Sequence, residues 1–246
     1  MQNKFVVIIP FYNVSKTIKK TFNSVAIQDY DNYEAYFIDD MSTDNSNHVL
    51  SNLIRNHSKI NLISNVEKKY SLKNIYDTVH NKTSDNDIIV ILDGDDFFYG
   101  KSVFSILNER YNKFGCWLTY GSYINLSTKT RGKFSSKTPQ HIIDSNSFRE
   151  YKWSTSHLRT FKSFLFKSIK QHSLINEQGN FYSITGDLAI MFPMLEMAGN
   201  NSLYINELLY VWNDTNVLND HKKNNKLQLE VEKKLRRSAK YEKLFK

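Results

Sequence analysis

Between residues 5 and 92, four short apolar runs alternate with stretches of helical period, and few folds accept that rhythm. Phe5–Ile9 is apolar without a break, as a strand buried on both faces of a parallel sheet must be. Pro10 cannot donate to a sheet ladder, so the strand ends there. Val14, Ile18, Phe22, Val25 and Ala26 then recur on one helical face, with Lys16, Lys19, Lys20 and Asn23 opposite. Ala35–Ile38 reads as a second strand, followed by a helix carrying Val49, Leu50, Leu53 and Ile54. Ile60–Ile63 is a third strand. Ser71–His80 places Leu72, Ile75, Tyr76 and Val79 on one helical face, and Asp87–Leu92 is the fourth strand. Strands alternating with helices call for an α/β domain with a mostly parallel sheet and right-handed crossovers.

After residue 100 the rhythm loosens. Val103–Tyr111 reads as a helix, Cys116–Tyr123 as a strand, 125–147 as a polar loop and Leu203–Val211 as a strand, with a helix starting near Leu188. Residues 222–246 read as a basic amphipathic helix holding ten Lys or Arg against three Glu, so nearly all of the formal +8 sits there. That placement excludes nucleic-acid binding by the fold as a whole. It suits peripheral contact with an anionic membrane or packing on another subunit through 222–246, with Val231, Leu235, Leu244 and Phe245 as a partial apolar stripe. The one cysteine, Cys116, allows neither an intrachain disulfide nor a thiolate metal cluster. No apolar run approaches the roughly 18 residues of a membrane span. The apolar run at the N-terminus is too short for a signal peptide. A glycan on the Asn13 sequon would obstruct the end of the first strand. The expected location is cytoplasmic, at most peripheral to a membrane.

Ile91-Leu92-Asp93-Gly94-Asp95-Asp96 ends the fourth strand with three carboxylates in four positions. Packed carboxylates repel, so such a cluster calls for a cation. Mg²⁺ and Mn²⁺ prefer oxygen ligands and are often held by one or two carboxylates plus substrate phosphates. Open α/β sheets bind ligands at the carboxyl ends of their strands. The segment is therefore a candidate metal–diphosphate site; the plainer reading is an acidic turn that caps the next helix. No Gly-rich loop follows the first strand, so neither a dinucleotide fingerprint nor a P-loop is present.

Four blocks stand in order: Val7-Ile8-Ile9-Pro10-Phe11-Tyr12-Asn13, Ser24-Val25-Ala26-Ile27-Gln28, Ile38-Asp39-Asp40-Met41-Ser42-Thr43-Asp44-Asn45-Ser46, and Leu92-Asp93-Gly94-Asp95-Asp96. Their order and spacing resemble the GT-A-fold glycosyltransferases of family 2 over roughly the first hundred residues. The resemblance implies a GT-A, Rossmann-like, mostly parallel sheet flanked by helices, ending in the basic helix. It divides the chain into a glycosyltransferase domain over 1–220 and the helix over 221–246. Within the domain, 1–100 is the nucleotide-sugar half and 101–220 the acceptor half.

By the same resemblance, Pro10, Tyr12 and Asn13 lie along the nucleotide, and Asp39, with Asp40 beside it, meets base and ribose. Lys73-Asn74 stands where the family has Arg-Asn, keeping a cation for phosphate but losing the bidentate fork. Asp95 is implied as the direct ligand of Mn²⁺ or Mg²⁺. Asp93 and Gly94 sit against the donor, Asp93 as a further metal candidate, and Asp96 supports the cluster. His221 stands where relatives place a loop over the diphosphate, as an added metal candidate. The base is implied to be Asp187, in Thr185-Gly186-Asp187-Leu188, although Gly186 replaces the usual Glu; Glu177 is the alternative. Trp153, His157 and Arg159 are candidates for an acceptor or diphosphate site. The implied function is metal-dependent, inverting transfer of a hexose or N-acetylhexosamine from a nucleotide sugar, UDP favoured, to a hydroxyl of a glycan, lipid-linked or protein acceptor. Two other readings stay open: a sugar-nucleotide or glycan-binding module that has lost catalysis, and a nucleotidyltransferase. The second expects a Gly-rich basic loop where Phe11–Ser15 stands.

Overall fold

The computed structural model describes residues 2–216 and 225–245. Four parallel strands form half of the sheet: β1 (Phe5–Phe11), β2 (Tyr33–Asp39), β3 (Ile60–Ser64) and β4 (Ile88–Ile91). The other half comprises β5 (Phe97–Phe98), β6 (Leu118–Asn125), β7 (Arg159–Lys162) and β8 (Ser202–Trp212). The eight stand in the order β3-β2-β1-β4-β7-β6-β8-β5. β7 lies antiparallel between β4 and β6, β8 runs parallel to β6, and β5 runs antiparallel to β8. The sheet is thus mostly parallel where the sequence alternates and mixed where it does not.

Every residue of β1 is buried, which explains its unbroken apolar composition. Side chains alternate across the sheet, so Val6 and Ile8 enter one core while Phe5, Val7, Ile9 and Phe11 enter the other. The second core is covered by α1 (Ile18–Ala26), α2 (Ser46–Leu53) and α4 (Val103–Phe114). The first is covered by α3 (Tyr70–Lys82), α6 (Ser163–Lys167) and α7 (Gly186–Ala198), with α5 (Gln140–Asp144) at its margin. Residues Leu188–Ala198 of α7 are all buried, so this helix has no polar face to present.

The basic helix α8 is described over Asn225–Arg237, stops short of the 246 that the sequence suggests, and is not a free appendage. Leu235 is buried in the first core, and Val231, Tyr241 and Leu244 pack against it. Phe245, expected in the same stripe, is exposed. A buried ion pair fixes this segment. Arg149 Nε and Nη2 reach Glu196 Oε1 and Oε2 at 2.5 and 2.8 Å. Arg149 Nη1 donates to the Leu235 carbonyl, and Glu196 Oε2 accepts the Tyr241 N–H. Among the described residues no helix is long and apolar enough to cross a membrane.

Candidate active site

The carboxyl ends of β1 and β4 open onto a cavity of about 550 Å³, closed on the far side by the start of α7. That size and position suit a small-molecule site. Gly94 is required by close approach. A Cβ there would lie 2.3 Å from Phe11 Cβ and 2.9 Å from the Pro10 carbonyl oxygen. The acidic turn therefore packs directly on the end of β1.

The acids are held by groups from the far end of the chain. The Tyr210 hydroxyl donates to Asp96 Oδ2 at 2.5 Å, and the Asn213 N–H donates to Asp96 Oδ1 at 2.6 Å. Asn216 Nδ2 donates to Asp95 Oδ2 at 2.5 Å. His157 stacks on the Tyr210 ring, 4.4 Å between centroids. Ligand atoms of Asp93, Asp96 and His157 all fall within 4.8 Å of one another. Burial pushes the Asp96 carboxyl well above the usual range, with Asp95 and Asp93 adding to the effect. Burial also raises Asp93, helped by Asp95 and Asp187 and opposed by Arg159, and raises Asp95. Burial pushes His157 well below its ordinary value, so its ring is neutral. Two carboxylates and an imidazole, crowded together with Arg159 alongside, fit a divalent cation, and the nitrogen donor suits Mn²⁺ better than Mg²⁺. The converging ligand atoms belong to Asp93, Asp96 and His157, although both Asp96 oxygens already accept hydrogen bonds; Asp95, to which the sequence pointed first, lines the same cavity with one oxygen engaged by Asn216 and stays a candidate beside them. His221 lies outside the described residues.

Asp187 sits in the first turn of α7 and lines the same cavity as this cluster. Its Oδ2 accepts from Arg159 Nη1 at 3.2 Å, and its Oδ1 accepts the Leu188 N–H at 2.9 Å. Arg159 opens β7 beside Ile91 and also donates from Nη2 to His157 Nδ1 at 3.2 Å. One guanidinium thus joins the candidate base to the candidate metal site. A Cβ on Gly186 would meet Leu72 Cβ at 3.2 Å, so the side chain the family usually carries there has little room. Glu177 pairs with Lys234 and does not line the cavity.

The remaining candidates separate into those at the cavity and those behind it. Pro10, Tyr12 and Asp40 line it. Asp39 lies behind, accepting the Ser42 N–H and Asn47 Nδ2. Asn13, at φ 53°, bonds Thr43 and the Asp44 N–H and braces the β2–α2 loop. Asp40 is also an organiser. Burial works against its charge, yet bonds from the Lys69 N–H, Asn74 and Asn65, with Lys68 nearby, hold its carboxyl below the usual range.

Two expectations need correction. Lys73 does not face the cavity but pairs with Asp77, and Asn74 is buried, donating to Asp40. The lysine at the cavity, where Arg159 also stands, is Lys68, whose Nζ sits 3.1 Å from the Tyr12 ring centroid and 3.3 Å from Asp40. Its signal was positional, a cation in the loop after a strand end. Trp153 packs on Phe192, away from the cavity, while His157 and Arg159 line it. Tyr210, Asn213 and Asn216 left no local signal.

Residues 6–183 match the sequence profile of Glycosyl transferase family 2. The chain belongs to that family, and its architecture is the GT-A fold. Among solved structures, the chain is similar to TarS 1-349 of S. aureus at TM-score 0.65 and 16% identity, over 85% of this chain and 60% of that one. TarS 1-349 in complex with UDP-GlcNAc gives 0.65 and 18%, over 87% and 59%. The mannosyltransferase PcManGT from Pyrobaculum calidifontis, in complex with GDP-Man and Mn²⁺, gives 0.57 and 17%, over 86% and 57%. At these identities the likeness is one of fold, and the chain spans about three fifths of the TarS 1-349 length. No curated protein matches the sequence.

Proposed function

We propose that this chain transfers a hexose or N-acetylhexosamine from a nucleotide sugar to an acceptor hydroxyl, inverting the anomeric carbon, with UDP as the favoured nucleotide. The observation that carries the reading is the gathering of two groups in one cavity, Asp93, Asp96 and His157 as a cluster and Asp187 joined to it through Arg159. The UDP and UDP-GlcNAc complexes of TarS support the choice of nucleotide, and the Mn²⁺ complex of PcManGT supports the choice of metal.

The chain's residues divide the work. Tyr12 and Lys68 offer an aromatic face and a cation at the strand ends, where a nucleoside diphosphate would lie. Asp93, Asp96 and His157, with Asp95 beside them, would hold a divalent ion, which when bound neutralises charge on the departing diphosphate. Asp187 accepts the proton of the attacking hydroxyl, and Arg159 keeps its carboxylate turned to the cavity. A single displacement needs only this one base and inverts the centre. The test is a panel of nucleotide sugars assayed for nucleotide release with Mn²⁺ or with EDTA. Release from a UDP-sugar only with metal is expected. Release from none of them, or release indifferent to EDTA, would overturn the reading.

A further inference from the structure

The outward face of α8 takes no part in the chemistry of the cavity. Leu235 is buried in the first core and Val231 packs against it, which fixes the inward side of the helix. At 3.6 residues per turn, Lys226, Lys233 and Arg237 fall on the side opposite that pair. All three are exposed. Their spacing, i, i+7 and i+11, sets them in one row about 16 Å long.

The other cations of the segment are engaged. Lys234 pairs with Glu177, Arg236 with Glu232 and Lys240 with Glu150. Among the described residues no ion pair engages Lys226, Lys233 or Arg237. The same side carries one acid, Glu230, against these three cations. Lys233 and Arg237 also line one surface depression, together with Glu230, Lys234 and Ser238. The row stands on a fixed backbone. Arg149 Nη1 donates to the Leu235 carbonyl, and Arg236 Nη1 donates to the carbonyls of Arg149 and Tyr151 at 2.6 and 2.8 Å.

Leu229 says what such a row can meet. It lies three residues after Lys226 and four before Lys233, so it stands among the cations, and it is 51% exposed. A soluble polyanion is held by charge and gains nothing from an aliphatic side chain. A lipid surface is anionic outside and apolar beneath, and it rewards both. We propose that Lys226, Lys233 and Arg237 dock this protein on an anionic bilayer, with the cations at the headgroups and Leu229 entering beneath them. The docking is peripheral. Gln228, in the first turns of the same helix, lines the cavity, so a docked helix keeps the cavity near the membrane surface. The proposal is independent of the glycosyl-transfer reading.

The test is co-sedimentation of the full chain with vesicles of phosphatidylcholine alone and of phosphatidylcholine mixed with phosphatidylglycerol. The wild-type chain is expected to sediment with the mixed vesicles only, and less as salt rises. A Lys226→Gln/Lys233→Gln/Arg237→Gln variant should partition about a hundredfold more weakly, the scale of three basic residues at a charged surface. Leu229→Ser keeps every charge and should weaken partition about threefold or more. Melting curves verify that both variants are folded, since all four side chains lie outside the core. No sedimentation of the wild-type chain, equal sedimentation with both vesicles, or a triple variant that partitions like wild type overturns the proposal. Leu229→Ser equal to wild type, with heparin binding lost in the triple variant, would assign the row to soluble polyanions and overturn the lipid reading. None of these outcomes bears on nucleotide release, which is read separately.

Discussion

Asp93 carries opposing demands that a substitution can separate. Burial raises its carboxyl, with Asp95 and Asp187 adding to the shift, so the folded state resists its ionisation. A carboxyl whose folded pKa lies above its unfolded value costs stability wherever it must be charged, and the cost fades as pH falls through the folded pKa. In EDTA, Asp93→Asn should therefore melt higher than wild type at about pH 8, with the advantage shrinking toward about pH 5. The same variant should lose metal-dependent nucleotide binding, the usual conflict between site and stability. Paired melting curves at the two pH values check this; an equal or lower melting point at the higher pH would refute it. Asp187→Asn should bind donor and metal normally yet lose about 10²–10⁴-fold in turnover, as expected of a missing general base. Single-turnover kinetics beside calorimetry separates the two effects, and near-normal turnover would move the role elsewhere. The acids themselves were legible in the sequence because strand ends place them. Lys68 in place of Lys73 was not, since a choice among three cations in one loop and helix start depends on how Asp40 gathers residues 65–74.

At the scale of elements, the strand–helix alternation exposed β1 to β4 and their helices because each strand is buried on both faces. β7 stayed hidden. Its four residues, Arg-Thr-Phe-Lys, have no period, and only tertiary placement between β4 and β6 makes them a strand. Yet this strand carries Arg159 to the acids. The tail was misleading for a related reason. Its basic composition suggested a surface helix, while the feature that fixes it is a pair 47 residues apart, Arg149 with Glu196, buried at 4% and 0% exposure. Removing one partner of such a pair strands a buried charge. Arg149→Ala should cost about 3–5 kcal/mol, and a volume-matched Arg149→Met/Glu196→Leu double variant should regain most of it. Urea denaturation reads both, and limited proteolysis should find residues 225–245 cut early in the single variant only. A single variant as stable as wild type would mean that the pair does not fasten α8.

For the molecule as a whole, the sheet divides the labour. Its parallel half brings Pro10, Tyr12, Asp40 and the acidic turn to one edge; its mixed half returns His157 and Arg159 to that edge and Tyr210 to Asp96, and α7 brings Asp187. The first set was readable because it is local and repeats a known order. The second depended on how distant strands pair, which no local pattern encodes. Both sets converge on one claim, that the cavity binds a nucleoside diphosphate through a divalent cation at the Asp93–Asp96–His157 cluster. The most direct measurement is calorimetric titration of UDP into the wild-type chain and into Asp93→Asn, each with Mn²⁺ and with EDTA. The account predicts saturable binding by the wild-type chain with Mn²⁺, weakened at least tenfold (about 1.4 kcal/mol) by EDTA or by Asp93→Asn. UDP binding equally tight in all four titrations, or absent from all four, would contradict it.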